Sequence, residues 1–176
     1  MFYCWMDQTP VGRLFLACDE QGLRFVLFDD NDTALRQFGL ESWEHRPEAL
    51  ADVTDQLRAY FSGQLQTFDV TLAGQGTEFQ KSVWNALCDV PYGHTASYGD
   101  IARSIGRPTA SRAVGMANGR NPISIIVPCH RIIGTSGKLV GYGGGLQRKQ
   151  TLLKIEGHSV EAVPGSSLQN LQHAEA

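Results

Sequence analysis

No stretch of this sequence reaches the ~18 consecutive apolar residues that a membrane-spanning helix needs, although 42% of its 176 residues are hydrophobic. No basic segment followed by an apolar one stands at the N-terminus, so no secretory signal is expected. The four cysteines, Cys4, Cys18, Cys88 and Cys129, form no CxxC pair and no dense framework. That excludes a disulfide scaffold and points to reduced thiols in a cytoplasmic compartment. Metal-ligand spacing is missing too. Only Cys129 and His130 lie close together, and adjacent residues seldom hold one ion alone, so no metal site is expected. No membrane partner is expected.

What remains is a chain long enough for one large domain or two small ones, with apolar content that supports a core. The net charge of −3 argues against nucleic acid by itself, but the charge is unevenly spread. Residues 1–74 carry 5 Lys/Arg against 12 Asp/Glu, and residues 75–157 carry 10 against 4. A basic half beside an acidic half suggests that one of them meets a polyanion. An asymmetry that only sets solubility explains the same counts.

Residues 13–18 and 23–28 read as the two strands of a hairpin around a turn at 19–22, with residues 2–6 as a third strand. Residues 32–38 suit a short helix. Pro47 opens a longer one, with Leu50, Val53, Leu57 and Phe61 at helical spacing and Gly63 at its end. Residues 68–72 alternate like a strand. This half is a small α+β unit whose aromatic and aliphatic residues read as core, with no catalytic constellation. Gly74-Gln75-Gly76 is the expected boundary, giving domains at 1–74 and 75–157.

Beyond the boundary, Thr77 and Gln80 make a capping box for a helix that buries Phe79, Val83, Trp84 and Leu87. Ser97 caps the next helix, with Ile101, Ala102 and Ile105 inward and Gly106 closing it. Residues 110–118 form another. Two short helices around a Gly/Pro turn are a weak helix-turn-helix signature. The second is built of small residues apart from Arg112 and Met116. It must approach a surface closely, either another helix or the narrow minor groove of DNA. A last helix at 146–155 turns Leu152, Leu153 and Ile155 inward, and 158–176 reads as a mobile tail.

The chemistry is expected at 125–134. A β-branched run should form a strand that Pro128 ends, leaving Cys129 at its mouth beside His130 and Arg131. Neighbouring positive charge lowers a thiol pKa and exposes the thiolate. Taken alone, Cys129 reads more simply as a buried structural cysteine.

The surrounding pattern changes that. Ser97-Tyr98-Gly99, Arg112-Ala113-Val114-Gly115, Asn121-Pro122, Pro128-Cys129-His130-Arg131, Gly141-Tyr142 with Gly144-Gly145, and Glu156-Gly157 follow in order. Together they resemble the O6-alkylguanine-DNA alkyltransferases, strongly over residues 77–157 and more loosely before that, through Thr9-Pro10-Val11-Gly12 and the hairpin. The resemblance implies an α+β fold: a small ribonuclease-H-like α/β domain, then a mainly helical, winged-helix-like domain with a helix-turn-helix. It implies a single-turnover methyltransferase that repairs DNA by moving an alkyl group from O6 of guanine, and from O4 of thymine, onto its own cysteine without a cofactor. The partner would be double-stranded DNA, bound as a monomer through the minor groove in the nucleoid.

It also implies roles. Cys129 would be the nucleophile, His130 the base acting through a water, and Glu156 the carboxylate that orients it. Tyr98 would donate a hydrogen bond to the base under repair. Arg112 would fill the space left by the flipped nucleotide, since O6 lies on the major-groove edge and a minor-groove binder reaches it only by extrusion. Ser111, Ala113, Ala117 and Asn121 complete the DNA-binding set, Asn121 by bonding the turn before the cysteine. Val127, Pro128, Tyr142, Gly143 and Gly144 would wall the base pocket, with Gly143 leaving room for adducts larger than methyl. Ile132 stands where valine is usual, a change expected to be silent. Some relatives hold zinc in the first domain. Cys4 and Cys18 match two of those ligands, but Arg24 replaces a histidine, so no zinc is expected.

Three other readings are weaker. A non-catalytic protein that recognises alkylated DNA and recruits other repair factors would lack the cysteine. A transcription regulator would need longer side chains for major-groove readout. A cysteine hydrolase would need an oxyanion hole, and none is visible.

Overall fold

The computed structural model describes residues 1–29 and 33–159. Most of the expected tail therefore lies outside the described residues, as does the start of the helix expected at 32–38, whose remainder is α1 (Thr33–Phe38). The hairpin is present as β2 (Leu14–Asp19) and β3 (Gly22–Phe28), and β1 (Phe2–Met6) joins β2 antiparallel. A two-residue strand, β4 (Glu44–His45), adds to β1 in parallel, giving the order β3-β2-β1-β4.

Alternation along the strands gives the sheet two apolar faces. One face sends Cys4, Leu14, Leu16 and Val26 into the main core. The other places Phe15 and Ala17 under an aromatic cover that includes Trp5, Phe25, Phe38 and Trp43. A 3-10 turn at Pro47–Leu50 runs into α2 (Ala51–Phe61). This helix buries Val53, Leu57 and Tyr60, three positions at helical spacing. Tyr60 is fully buried while Phe61 is only partly so, a one-position rotation from the expected face.

Residues 68–72 do not form the expected strand. Only Leu72 bridges Leu23, through bonds from Leu23 N to Thr71 O and from Ala73 N to Leu23 O, each 2.8 Å. The rest of that β3 edge is taken by a distant segment. Val26 N donates to Pro122 O at 3.0 Å, and Ser124 N donates to Val26 O at 2.9 Å. A strand edge holds one row of donors and acceptors, so the two segments divide it.

The second half begins with α3 (Glu78–Cys88), capped reciprocally by Thr77 and Gln80 as expected. Ser97 and Asp100 cap α4 (Tyr98–Ser104) in the same way. After residues 105–110 comes α5 (Ser111–Gly119), which packs on α3 and α4. The Trp84 indole donates to Ala117 O at 2.9 Å and locks α3 to α5. A short parallel pair, β5 (Ala96–Ser97) and β6 (Ile132–Ile133), precedes α6 (Leu146–Ile155). One hydrophobic core runs through both halves, from Leu14, Leu57 and Tyr60 to Val83, Val114, Ile123 and Leu152. Among the described residues no helix is long and apolar enough to cross a membrane.

The run before the cysteine departs most from expectation. Residues 125–127 are not a strand but the middle of a tight turn, with Ile125 fully buried at φ 74°. A β-branched residue strongly disfavours that conformation. Fixed contacts impose it: the Val26 edge holds one side, and Val127 N closes onto Ile123 O at 3.0 Å.

Candidate active site

Asn121 builds the turn that presents Cys129. Its Oδ1 accepts from Ile123 N at 3.0 Å, and its Nδ2 donates to Val127 O at 2.8 Å. The same Nδ2 lies 3.1 Å from Cys129 Sγ and donates to it. Cys129 then opens a 3-10 turn, Cys129–Arg131, started by Pro128. Asn121 is thus buried behind the thiol rather than placed on a DNA-facing surface.

The thiol is not the low-pKa group expected from its basic neighbour. Burial raises the Cys129 pKa above its ordinary value, and hydrogen bonding from Asn121, the nearby Tyr142 hydroxyl and the Lys149 charge only partly offset this. Arg131 is not among the groups that lower it, and its guanidinium is bonded elsewhere. Its Nε donates to Glu156 Oε2 at 2.9 Å and its Nη1 to Val90 O at 2.6 Å. The resting thiol is therefore protonated.

Glu156, the residue that closes α6, collects five donors. His130 Nε2 lies 2.7 Å from Oε1, and the Tyr60 hydroxyl donates to the same oxygen at 2.7 Å. Arg131 adds Nε and Nη2, and Gly93 N adds a longer bond of 3.3 Å. Burial alone would raise this carboxyl, but hydrogen bonds from His130 and Arg131 hold it at about 2. His130 is fully buried, and desolvation outweighs the pull of Glu156 to lower its pKa, so the ring is neutral. A neutral imidazole facing a carboxylate keeps its proton on Nε2, which leaves Nδ1 with a free lone pair. That Nδ1 is buried and has no hydrogen-bond partner.

Cys129 borders a cavity of about 200 Å³, whose other walls include Phe28, Asn118, Tyr142, Gly143 and Gly144. Of the expected pocket residues, Tyr142, Gly143 and Gly144 are in place. Pro128 does not line this cavity, and Val127 lines a different one of about 700 Å³ between Arg24, the 72–76 linker and α3. Asn121 borders both spaces. Gly144 must lack a side chain, since a Cβ there would collide with the Phe28 ring. Gly143 has no such limit, its nearest neighbour being Gly119 O at 3.6 Å.

On α5, Arg112, Ala113 and Met116 form the exposed face, Met116 being 63% exposed, and Arg120 follows at its end. Ser111 is partly buried at its start. Ala117 is not on that face. It is buried at 2% exposure, with its carbonyl bonded to Trp84, because one face of a short amphipathic helix must be core. Tyr98 is partly exposed at the start of α4, its ring above Gly115 and its hydroxyl 3.4 Å from Val140 O. It lies near enough to Cys129 for a thiolate there to raise its pKa, after the larger effect of burial.

Two polar residues escaped the sequence reading. Tyr60 belongs to the first half, where no functional residue was expected. Lys149 is fully buried on α6, its ammonium donating to Ile132 O and to Val140 O, and burial lowers its pKa to about 8. Both signals were legible as helical spacing, Tyr60 from Val53 and Leu57, Lys149 from Leu152 and Leu153. Among the described residues no group of three or more His, Cys, Asp or Glu could hold a metal ion.

The family model for the 6-O-methylguanine DNA methyltransferase DNA-binding domain matches residues 78–158, and the one for the ribonuclease-like domain of the same family matches residues 1–73. A methylated-DNA–protein-cysteine methyltransferase of Methanosarcina acetivorans is 54% identical over 157 residues, covering 89% of this chain and 99% of its own. One from Mycolicibacterium paratuberculosis is 53% identical over 148 residues, covering 84% and 88%. The crystal structure of Mycobacterium tuberculosis OGT in complex with DNA superposes with a TM-score of 0.79 at 51% identity, covering 89% of this chain and 92% of that one. With a ribonuclease-like first half and a helical DNA-binding second half that carries the buried Cys129, the chain belongs to the 6-O-methylguanine DNA methyltransferase family, the methylated-DNA–protein-cysteine methyltransferases.

Proposed function

We propose that this protein repairs DNA by moving an alkyl group from O6 of guanine, in a nucleotide flipped out through the minor groove, onto Sγ of Cys129. The observation that carries the proposal is the unpartnered Nδ1 of a neutral His130 beside a buried, protonated thiol at the wall of a cavity. Glu156 fixes the ring so that this nitrogen can accept a proton. In the step, the thiol proton passes through a water to Nδ1, and Sγ attacks the alkyl carbon. A carbon–sulfur bond forms as the carbon–O6 bond breaks. The electron pair leaves with the guanine, which takes a proton at N1 and becomes ordinary guanine. Removing the alkyl group from the thioether would need the cysteine thiolate to leave, and thiolate is a poor leaving group there, so the protein reacts once.

The exposed face of α5 suits the approach to DNA. Small Ala113 lets the backbone come close, and Arg112 makes no ion pair among the described residues and is free to enter the stack. Tyr98, in the neighbouring helix, is placed to donate to the base as charge builds on it. The relative solved in complex with DNA supports DNA as the partner.

Incubation with a duplex oligonucleotide carrying O6-methylguanine should add one methyl group to Cys129 and stop at one per protein, read by intact mass and peptide mapping. Cys129→Ser should bind the duplex and gain nothing. Arg112→Ala should slow transfer roughly tenfold more than it weakens binding, because extrusion costs a few kcal/mol that the side chain helps to offset. Turnover beyond one methyl per protein, or methylation elsewhere, would contradict the reading.

A further inference from the structure

Arg148 reaches from α6 to the first half of the chain. Its Nε donates to Val11 O at 2.6 Å, across 137 positions. Its Nη1 donates to Gly144 O at 3.1 Å, and the guanidinium lies over the Phe28 ring, 4.8 Å from the centroid. A planar fork can hold two carbonyls and stack on a ring at once, which an ammonium cannot. Its seat on the first half is shaped for it. Val11 is buried in the turn of residues 9–12, which Gly12 N closes onto Thr9 O at 3.0 Å. Gly12 takes φ 88°, and a Cβ there would stand 3.2 Å from Arg148 Nη2, so both backbone and space favour glycine.

Phe28 and Gly144 both line the cavity beside Cys129. Tyr142, a third lining residue, meets the Phe28 ring edge-on with centroids 5.8 Å apart. Six of the twelve residues from 134 to 145 are glycine, so this segment pays heavily in backbone entropy to hold one shape. We infer that Arg148 is a positioning residue for the transfer, the link by which Val11 O and Phe28 of the first half fix the 142–144 wall against the reacting thiol. The inference rests on the proposed reaction and gives the ribonuclease-like half a task in it. Arg148 does not itself line the cavity and acts through the residues that do. It also stands on α6, away from the α5 face proposed to meet DNA. A wall displaced by a fraction of an ångström spoils the alignment of the reacting atoms, which costs rate rather than DNA binding.

The test separates rate from binding. Single-turnover methyl transfer from an O6-methylguanine duplex gives a maximal rate and a half-saturating DNA concentration, and urea denaturation gives the stability of each variant. In Arg148→Met the maximal rate should fall about tenfold while the half-saturating concentration stays within about twofold. Arg148→Lys keeps the stem and the charge but not the fork, so it should also be slow, and it carries the test if the methionine variant does not fold. Free O6-benzylguanine, which reaches the cavity without DNA, should react more slowly by a similar factor. Phe28→Leu combined with Arg148→Met should slow transfer by less than the product of the two separate factors, because both act on one wall. An unchanged maximal rate in either Arg148 variant, whatever its stability, overturns the inference while leaving the proposed reaction standing. So does slowing confined to the duplex, which would place Arg148 among the DNA contacts, or simple multiplication of the Phe28 and Arg148 factors. No methyl transfer by the unaltered protein overturns the reaction and the inference with it.

Discussion

The Tyr60 hydroxyl donates to Glu156 Oε1 at 2.7 Å, a bond between residues 96 positions apart that joins the first half of the chain to a buried carboxylate of the second. His130 uses the same oxygen. Removing the hydroxyl in Tyr60→Phe leaves the ring in place but takes one donor from a buried anion. The expected cost is about 2 kcal/mol, the usual range for a bond to a charged group, read by urea denaturation. Methyl transfer should slow as well, because the acceptor oxygen that orients His130 is then less firmly held. Unchanged stability and rate would show that Tyr60 only fills space.

Glu156 also gives a pH signature. Its folded pKa of about 2 lies below the ordinary 4.5. The ionised carboxylate therefore adds stability that is fully present above pH 4.5 and is lost as the pH falls toward 2. The contribution is on the order of 3 kcal/mol. Glu156→Gln should be less stable at pH 7 and should lose less on acidification, so the gap between the two proteins narrows from pH 5 to pH 2. A constant gap would mean that the carboxylate is not ionised in its network.

The thiol should behave as a protonated, shielded group. Labelling by iodoacetamide, followed on the Cys129 peptide across pH, should have its midpoint above 9.0, the ordinary value. A midpoint near neutrality would restore the thiolate that the sequence suggested.

Most of the framework was legible because it is local. The capping boxes at Thr77/Gln80 and Ser97, the hairpin and the spacing of Val53 and Leu57 are set by neighbours a few residues away. The errors lie where distant segments compete. Residues 68–72 and 125–127 carry strand-like composition, yet a single β3 edge serves both neighbourhoods, and Asn121 bends the second into a turn. Motif order singles out Cys129, His130 and Glu156, but not Tyr60, which meets His130 and Glu156 from the other half of the chain. Ala117 looked like its neighbour Ala113. Burial in the fold, with the Trp84 bond beside it, shows which of the two faces inward.

The glycines of the cavity wall should separate into two kinds. Gly144→Ala should cost about 1–3 kcal/mol, the range for an overpacked site, since its Cβ meets the Phe28 ring. Gly143→Val should stay within about 0.5 kcal/mol and instead slow transfer of a benzyl group more than of a methyl group. Equal slowing of both would show that Gly143 does not set adduct size.

The turn that carries Cys129 has empty space on both sides, with Asn121 facing each. On the proposed reaction the sulfur grows by an alkyl group inside a buried site, and a close-packed interior resists added volume. Asn121 and Val127 also border the cleft of about 700 Å³. On that reaction the alkyl group stays on a side chain that walls the pocket, so the spent protein has its pocket altered for good.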